Sequence, residues 1–326
     1  MQLGKIYCII SIAKREEEMI LKNSFKLFCS NFDKVWKYFF YTIIVTGIVV
    51  ALMMPFLNEI KTVVLANWTN DILNSIPSTG LLYGSNVAGI FSAAWDFCYG
   101  CIIMLFNDYL WIGIYLVVLV VIILPFLMNI GKYAVQENLY NYMSSQSKSS
   151  YSAVLVKTLR RSVPYAILKT LLAIIWKVVL IASAYGLFSV TAPLFDYFLP
   201  VIIIVAGALA TAISRTFVEG WAPASVVYNF NVFKSYNIGF KAVCRKYGRI
   251  FSASLIINLL FIFLIMGFGI ISAVVFVPLY LGLNNMAEMV MFFTSQGMRY
   301  YVDPETVITP KKLEQLDTIE KTKYLL

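Results

Sequence analysis

Two lysines lie inside a run of the sequence that is otherwise typical of a membrane-spanning helix. The run, LKTLLAIIWKVVL, covers 168–180, and its basic residues are Lys169 and Lys177. A charge at the centre of a bilayer costs about 2.5–3.5 kcal/mol, so such groups usually face the protein interior and have a partner there. Lys169 is close enough to one end of its predicted span to reach the headgroups. Lys177 is near the middle, and its chemistry needs an explanation.

Glu288 is the carboxylate that we expect at the depth of Lys177, and a buried pair would satisfy both charges. Asn258, Asn284 and Asn285 are expected to line the same interior. An equal alternative for Asn284 and Asn285 is that they cap or loosen a helix near the outer side. One interpretation is a structural tie between two hairpins. Another is a polar site at the midplane that binds an anionic headgroup or a small solute, or relays a proton. A third is that the two side chains do not meet.

A pair of cysteines, Cys98 and Cys101, forms a C-x-x-C motif in WDFCYGC. Two thiols at this spacing can exchange or form a disulfide, which predicts a redox pair where the segment faces an oxidising compartment. The alternative is that both pack as small apolar residues in an interfacial or re-entrant segment at 88–106. Two cysteines without histidine make a poor metal site, so we predict no metal here.

Enzyme chemistry has little support in the sequence. The chain of 326 residues contains no histidine, which removes the usual general base, the commonest zinc ligand and the middle member of a serine–histidine–aspartate triad. It also lacks the G-x-x-x-x-G-K-[ST] loop that binds nucleotide phosphates. We therefore expect no catalytic residues and no cofactor.

The elements that must position these residues are membrane-spanning helices. Hydrophobic residues make up 60% of the chain and charged residues only 13%, whereas soluble domains carry about 25% charged residues. This deficit predicts a surface that faces lipid, and hence an all-α, polytopic transmembrane bundle. An apolar helix needs about 20 residues to cross the hydrocarbon layer. We predict six such spans, at 39–57, 110–130, 163–189, 194–214, 250–272 and 277–298, with a turn near 273–276 between the last two.

The distribution of basic residues predicts the orientation of these spans. Cytoplasmic segments are enriched in Lys and Arg, and the outer segment 58–109 contains only Lys61. Six spans with both termini in the cytoplasm place most of the 26 basic residues inside. The chain then divides into a cytoplasmic N-terminus at 1–38, a membrane domain at 39–298 and a cytoplasmic tail at 299–326. The net charge of +9 fits a multi-pass plasma-membrane protein that contacts lipid, and we expect no nucleic-acid binding.

A short amphipathic stretch precedes each pair of spans. The three stretches are FKLFCSNFDKVW at 25–36, VLVKTLRRSVPY at 154–165 and FKAVCRKYGRIF at 240–251. Apolar residues recur in the first and third at helical spacing, which is typical of helices that lie in the membrane interface. We therefore predict three hairpins, each preceded by an interfacial helix that leads into its span through an elbow.

With SFKLFCSNFDKVWKYFF at 24–40 and three such units over 20–300, the chain resembles an uncharacterised bacterial six-span integral membrane family. That family is similar to the membrane domain attached to some glycerophosphoryl diester phosphodiesterases. The resemblance implies the fold. The phosphodiesterase domain has no counterpart in this sequence, so the resemblance implies neither its activity nor any catalytic residue.

Three functions from different classes follow from these patterns. The first is a transporter-like or lipid-handling module with a polar midplane site. The second is a non-catalytic membrane subunit or scaffold whose loops and tail bind a cytoplasmic protein partner. The third is a membrane thiol-redox protein that uses Cys98 and Cys101. The sequence favours the first two about equally and leaves the oligomeric state open.

Overall fold

The computed structural model describes the chain over the ranges 20–67, 97, 99–191, 199–268 and 273–309. Within them the chain is almost entirely helical, so the all-α fold class is confirmed. The helices are α1 (20–30), α2 (Phe32–Met53), α3 (Leu57–Asn67), α4 (99–107), α5 (Leu110–Val117), α6 (Leu124–Ser145), α7 (Tyr151–Thr191), α8 (Leu199–Val218), α9 (Trp221–Tyr228), α10 (Val232–Cys244), α11 (Tyr247–Phe268) and α12 (Ala273–Gln296).

A short antiparallel hairpin follows α12. Its strands are β1 (Tyr300–Tyr301) and β2 (Val307–Ile308). The Tyr300 side chain is buried, and its hydroxyl accepts a hydrogen bond of 3.1 Å from Nδ2 of Asn23 in α1. The first residues of the predicted tail at 299–326 are therefore folded against α1.

Four helical stretches are long and apolar enough to cross a membrane. They are Phe32–Leu65, Leu110–Ser145, Tyr151–Leu180 and Val275–Gln296. They coincide with the first, second, third and sixth predicted spans, which confirms a membrane-embedded helical protein. Helices α8 and α11 overlap the fourth and fifth predicted spans but are not among these four stretches, and α11 includes the shorter apolar stretch Ile250–Leu264. The count of six spans therefore stays a prediction.

The second of these stretches contains a π-helical segment, Val118–Ile123, between α5 and α6. The backbone N–H of Leu124 donates to the carbonyl of Leu119, five residues earlier. Pro125 follows directly and has no N–H to donate, so the ordinary i to i−4 pattern cannot continue through this position. A widened turn next to proline accommodates the missing donor.

The chain divides into two compact units. Unit 1 comprises 1–42, 129–166 and 208–326, and unit 2 comprises 43–128 and 167–207. In unit 2 the ring of Tyr115 packs 5.2 Å from that of Phe56, and its hydroxyl donates to the carbonyl of Leu52. Unit 1 contains most of the buried polar side chains of the described residues, and the candidate site lies there.

The segment predicted as a cytoplasmic loop at 131–162 is mostly helical. Helix α6 continues to Ser145 and α7 begins at Tyr151, so only residues 146–150 connect them. The prediction ended the second span where charged and amide residues begin. A helix does not end there, because the polar residues from Lys132 onward face other helices of unit 1 rather than water.

The predicted turn near 273–276 is wrong, because those residues already belong to α12. Helix α11 ends at Phe268, and residues 269–272 lie outside the described ranges. Gly267, next to the end of α11, has weak helix propensity, and this was the available signal for where α11 ends.

Two of the three amphipathic stretches contain a break in the helix. The first is broken at Asn31, whose side chain donates to the carbonyl of Leu27, and the third is broken at residues 245–246. The elbows predicted at these two places stay predictions. The second stretch at 154–165 has no elbow, because it lies wholly inside α7.

Helices α9 and α10 form a tightly packed pair in unit 1. A Cβ atom built on Gly220, just before α9, would lie 2.5 Å from the carbonyl oxygen of Gly239 in α10. The indole N–H of Trp221 donates to the carbonyl of Val232 at 3.0 Å. The amphipathic stretch predicted at 240–251 covers only the last part of α10. The buried residues of α10 are Ser235, Gly239, Ala242 and Val243, and Phe233 is exposed.

Candidate buried polar site

An ion pair between α6 and α12 lies in the interior of unit 1. Lys132 Nζ contacts Glu288 Oε1, with the two side chains 19% and 5% exposed. The other carboxylate oxygen of Glu288 accepts a hydrogen bond of 3.2 Å from Nε2 of Gln136. Lys132 and Gln136 are four residues apart on α6, so they share one face of the helix and approach the same carboxylate.

Gln136 extends this contact to the backbone of α12. Its Nε2 also donates to the backbone carbonyl of Asn285 at 3.1 Å. Because both partners of Nε2 are acceptors, the orientation of the amide is fixed by the network. Its oxygen, Oε1, is buried and has no hydrogen-bond partner. A fully buried acceptor of this kind is available to a ligand that donates a hydrogen bond.

A second group of polar side chains is centred on Asn258 of α11. Its Oδ1 accepts hydrogen bonds from the Tyr280 hydroxyl at 2.8 Å and from Arg215 Nη1 at 3.3 Å. Its Nδ2 donates to Thr211 Oγ1 at 3.3 Å. The Arg215 guanidinium also lies 4.8 Å from the centre of the Tyr280 ring, within the range of a cation–π contact.

Glu219, in the turn after α8, is the second buried carboxylate of unit 1. Its side chain is 5% exposed, and its Oε1 accepts a hydrogen bond of 3.3 Å from Ser254. Its Oε2 is buried without a partner. Burial raises the pKa of the Glu219 carboxyl above its usual range, and the carboxylate of Glu288 raises it further, against the opposing effects of Arg215 and Lys132.

The side chains around the Lys132–Glu288 pair and those around Asn258 and Glu219 therefore act on each other electrostatically. Together they contain two carboxylates, Glu219 and Glu288, and two cations, Lys132 and Arg215. Burial disfavours the ionised form of an incompletely paired carboxylate. The protonated form of Glu219 is therefore favoured over that of an ordinary glutamate.

The helices place these residues through repeated four-residue spacing. Thr211 and Arg215 lie one turn apart on α8, and Ser254 and Asn258 lie one turn apart on α11. Side chains at this spacing share a helix face, so two polar stripes meet between α8 and α11. Among the described residues, no group of three Cys, Asp or Glu side chains could hold a metal ion.

Some of the predicted site residues lie in the buried polar site, and others do not. Glu288 and Asn258 are both buried in unit 1, Glu288 in the ion pair and Asn258 at the centre of the second group. The lysine that meets Glu288 is Lys132 rather than Lys177, which is exposed on α7. Cys98 lies outside the described residues, so the Cys98–Cys101 redox pair stays a prediction.

Sequence reasoning missed Lys132, Gln136, Arg215 and Glu219. Lys132 and Arg215 were counted as loop charges that indicate orientation, since both follow the end of a predicted span. The available signal was the spacing of Lys132 and Gln136, which continues the helical period beyond residue 130.

Compared with protein-family models, curated proteins and solved structures, the chain matches none of them. The resemblance to the membrane domain of glycerophosphoryl diester phosphodiesterases stays a prediction.

Proposed function

We propose that the protein is a transporter-like module of the plasma membrane that binds and releases a proton at Glu219. It has six spans, with α8 and α11 as the fourth and fifth, and both termini are in the cytoplasm. The observation that carries the proposal is the buried, unpartnered Oε2 of Glu219 beside the Lys132–Glu288 pair.

A proton is the ligand that this carboxylate best accommodates. Its raised pKa moves proton exchange toward neutral pH, where an ordinary glutamate is ionised. Buried ionisable groups in membrane proteins frequently form proton pathways. The surrounding polar side chains of α8, α11 and α12 can orient a solute or a water beside the carboxyl group.

The first test is an infrared titration of the purified protein in neutral detergent. A protonated carboxyl group has a carbonyl stretch distinct from that of a carboxylate. We expect a band that persists to higher pH than an ordinary glutamate allows and that is lost in Glu219→Gln. The matched control is Glu305→Gln, which removes an exposed carboxylate and should leave the band unchanged.

The second test is proton flux into proteoliposomes under an imposed membrane potential. We expect a flux above that of empty liposomes, reduced at least tenfold in Glu219→Gln and retained in Glu305→Gln. A protein that holds the infrared band but shows no flux and copurifies with a stoichiometric soluble protein would instead favour the scaffold function.

A further inference from the structure

A polar groove lies at the break between α1 and α2, separate from the buried site. It has a volume of about 280 Å³ and faces the loop 146–150 that joins α6 to α7. The side chains that line it include those of Ser30, Asp33, Lys34, Lys37, Lys148 and Ser149. All of these residues belong to unit 1.

The groove has more positive than negative charge. Asp33 lies 3.4 Å from Lys37, one turn along α2, and both side chains are exposed. An exposed pair of this kind contributes little and is easily exchanged for another partner. Among the ion pairs of the described residues, neither Lys34 nor Lys148 has a carboxylate.

Lys34 is the most informative of the three lysines, because it is only 3% exposed. Its Nζ donates one hydrogen bond of 2.8 Å to Asn31 Oδ1 and lies 5.1 Å from the centre of the Tyr142 ring. An ammonium group has three donors, and a buried charge is costly without a counter-charge. Asp33 attracts this ammonium, but Lys148 and Lys37 repel it, so an anion in the groove would still be drawn to the three lysines.

The backbone around the groove also favours an anion. Helix α2 begins at Phe32 and α7 begins at Tyr151, next to lining residues on either side of the groove. The first turn of a helix carries partial positive charge and backbone N–H groups that bind anions. The break at Asn31 leaves the first of these helix ends beside the groove.

We propose that this groove binds a phosphate group, with Lys34, Lys37 and Lys148 as its cationic contacts. Lysine is a common phosphate ligand that acts as a point charge. The phosphate neutralises the buried ammonium of Lys34 and the exposed one of Lys148. Its source is either a free phosphate compound or the headgroup of an anionic lipid, since basic pockets at the membrane surface bind both kinds of group.

The exposed Lys148 gives the sharpest variant, because its replacement removes no buried contact. The variants are Lys148→Gln, the charge-preserving Lys148→Arg, and the control Lys241→Gln, which removes an exposed lysine of α10. Each full-length protein is purified in neutral detergent and titrated with inorganic phosphate. Thermal stability is the readout, and chloride at equal ionic strength is the reference.

For a free phosphate source, we expect stabilisation by phosphate but not by chloride. Lys148→Gln should weaken the apparent affinity at least fivefold, whereas Lys148→Arg and Lys241→Gln should keep it within twofold. If the bound phosphate group belongs to a lipid headgroup, inorganic phosphate should not change the thermal stability of the protein. Native mass spectrometry from nanodiscs should then show retained phosphatidylglycerol in preference to phosphatidylcholine, with retention reduced by Lys148→Gln alone.

Two results would overturn the proposal. One is that neither phosphate nor phosphatidylglycerol is bound in preference to its reference. The other is that Lys148→Gln and Lys241→Gln weaken binding equally, since that result indicates general attraction by the positive protein rather than a defined site.

Discussion

Lys132 is the residue whose replacement best tests the buried ion pair. Lys132→Met keeps a long apolar side chain but leaves the Glu288 carboxylate with a single neutral donor, Gln136 Nε2. Removing one partner of a buried pair typically costs about 3–5 kcal/mol. Because Lys132 retains 19% exposure, water offsets part of this loss. We expect about 3 kcal/mol, which is a change of more than about a hundredfold in the unfolding equilibrium.

Reversible unfolding of the detergent-solubilised protein by a denaturing detergent measures this change. The matched control is Lys177→Met, because Lys177 is exposed on α7 and pairs with no carboxylate among the ion pairs of the described residues. We expect no loss of stability from it. The double variant Lys132→Met/Glu288→Gln should recover most of the loss and lie within about 1 kcal/mol of the wild type, since replacing both charges of a buried pair is often neutral.

A Lys132→Met protein as stable as Lys177→Met would refute the reasoning, because the Glu288 carboxylate would then not depend on its partner. The same conclusion would follow if the double variant were less stable than Lys132→Met.

The remaining predictions concern Glu219, Gly239 and Tyr280. Folding raises the pKa of Glu219, so its contribution to stability is complete below the ordinary glutamate value of about 4.3 and is lost as pH rises toward the folded value. Thermal melting should therefore show that the wild-type protein loses stability between acidic and neutral pH and that Glu219→Gln loses less. Equal losses of stability in the two proteins would contradict this. Gly239→Ala should destabilise by at least about 2 kcal/mol in the same denaturing-detergent assay, because the new Cβ meets the backbone at Gly220. Gly248→Ala, with open space around it, should cost nothing, and equal losses would refute the close approach. Tyr280→Phe removes one hydrogen bond to Asn258 and should cost about 0.5–1.5 kcal/mol, a loss that the assay resolves; no loss would show that this bond is not formed.

The sequence predicted the helical, membrane-embedded class well because apolar length is a local property. The segment 110–130 has the required run of apolar residues, and the helix there follows directly from it. Helical spacing in 240–251 also predicted part of α10, although the break at 245–246 divides that stretch between two helices.

The partner of Glu288 could not be predicted from local properties. Depth along a span suggested Lys177. Pairing, however, depends on which helices are neighbours in the fold and on which face of each helix is turned toward the other. Lys132 follows an apolar run and therefore counted as a loop residue. Its helix continues as far as Ser145 because Gln136 and the residues around it are packed against other helices, and such packing has no signature in hydropathy.

The burial of α12 has a consequence for how the protein is made. In Val275–Gln296, 61% of the apolar window is buried, compared with 11–17% in the other three long apolar stretches. This helix carries Glu288 inward, and exposing that carboxylate to lipid would be costly. Lys132 is synthesised before α12. We therefore expect insertion of α12 into the bilayer to be coupled to its docking on the helices made before it.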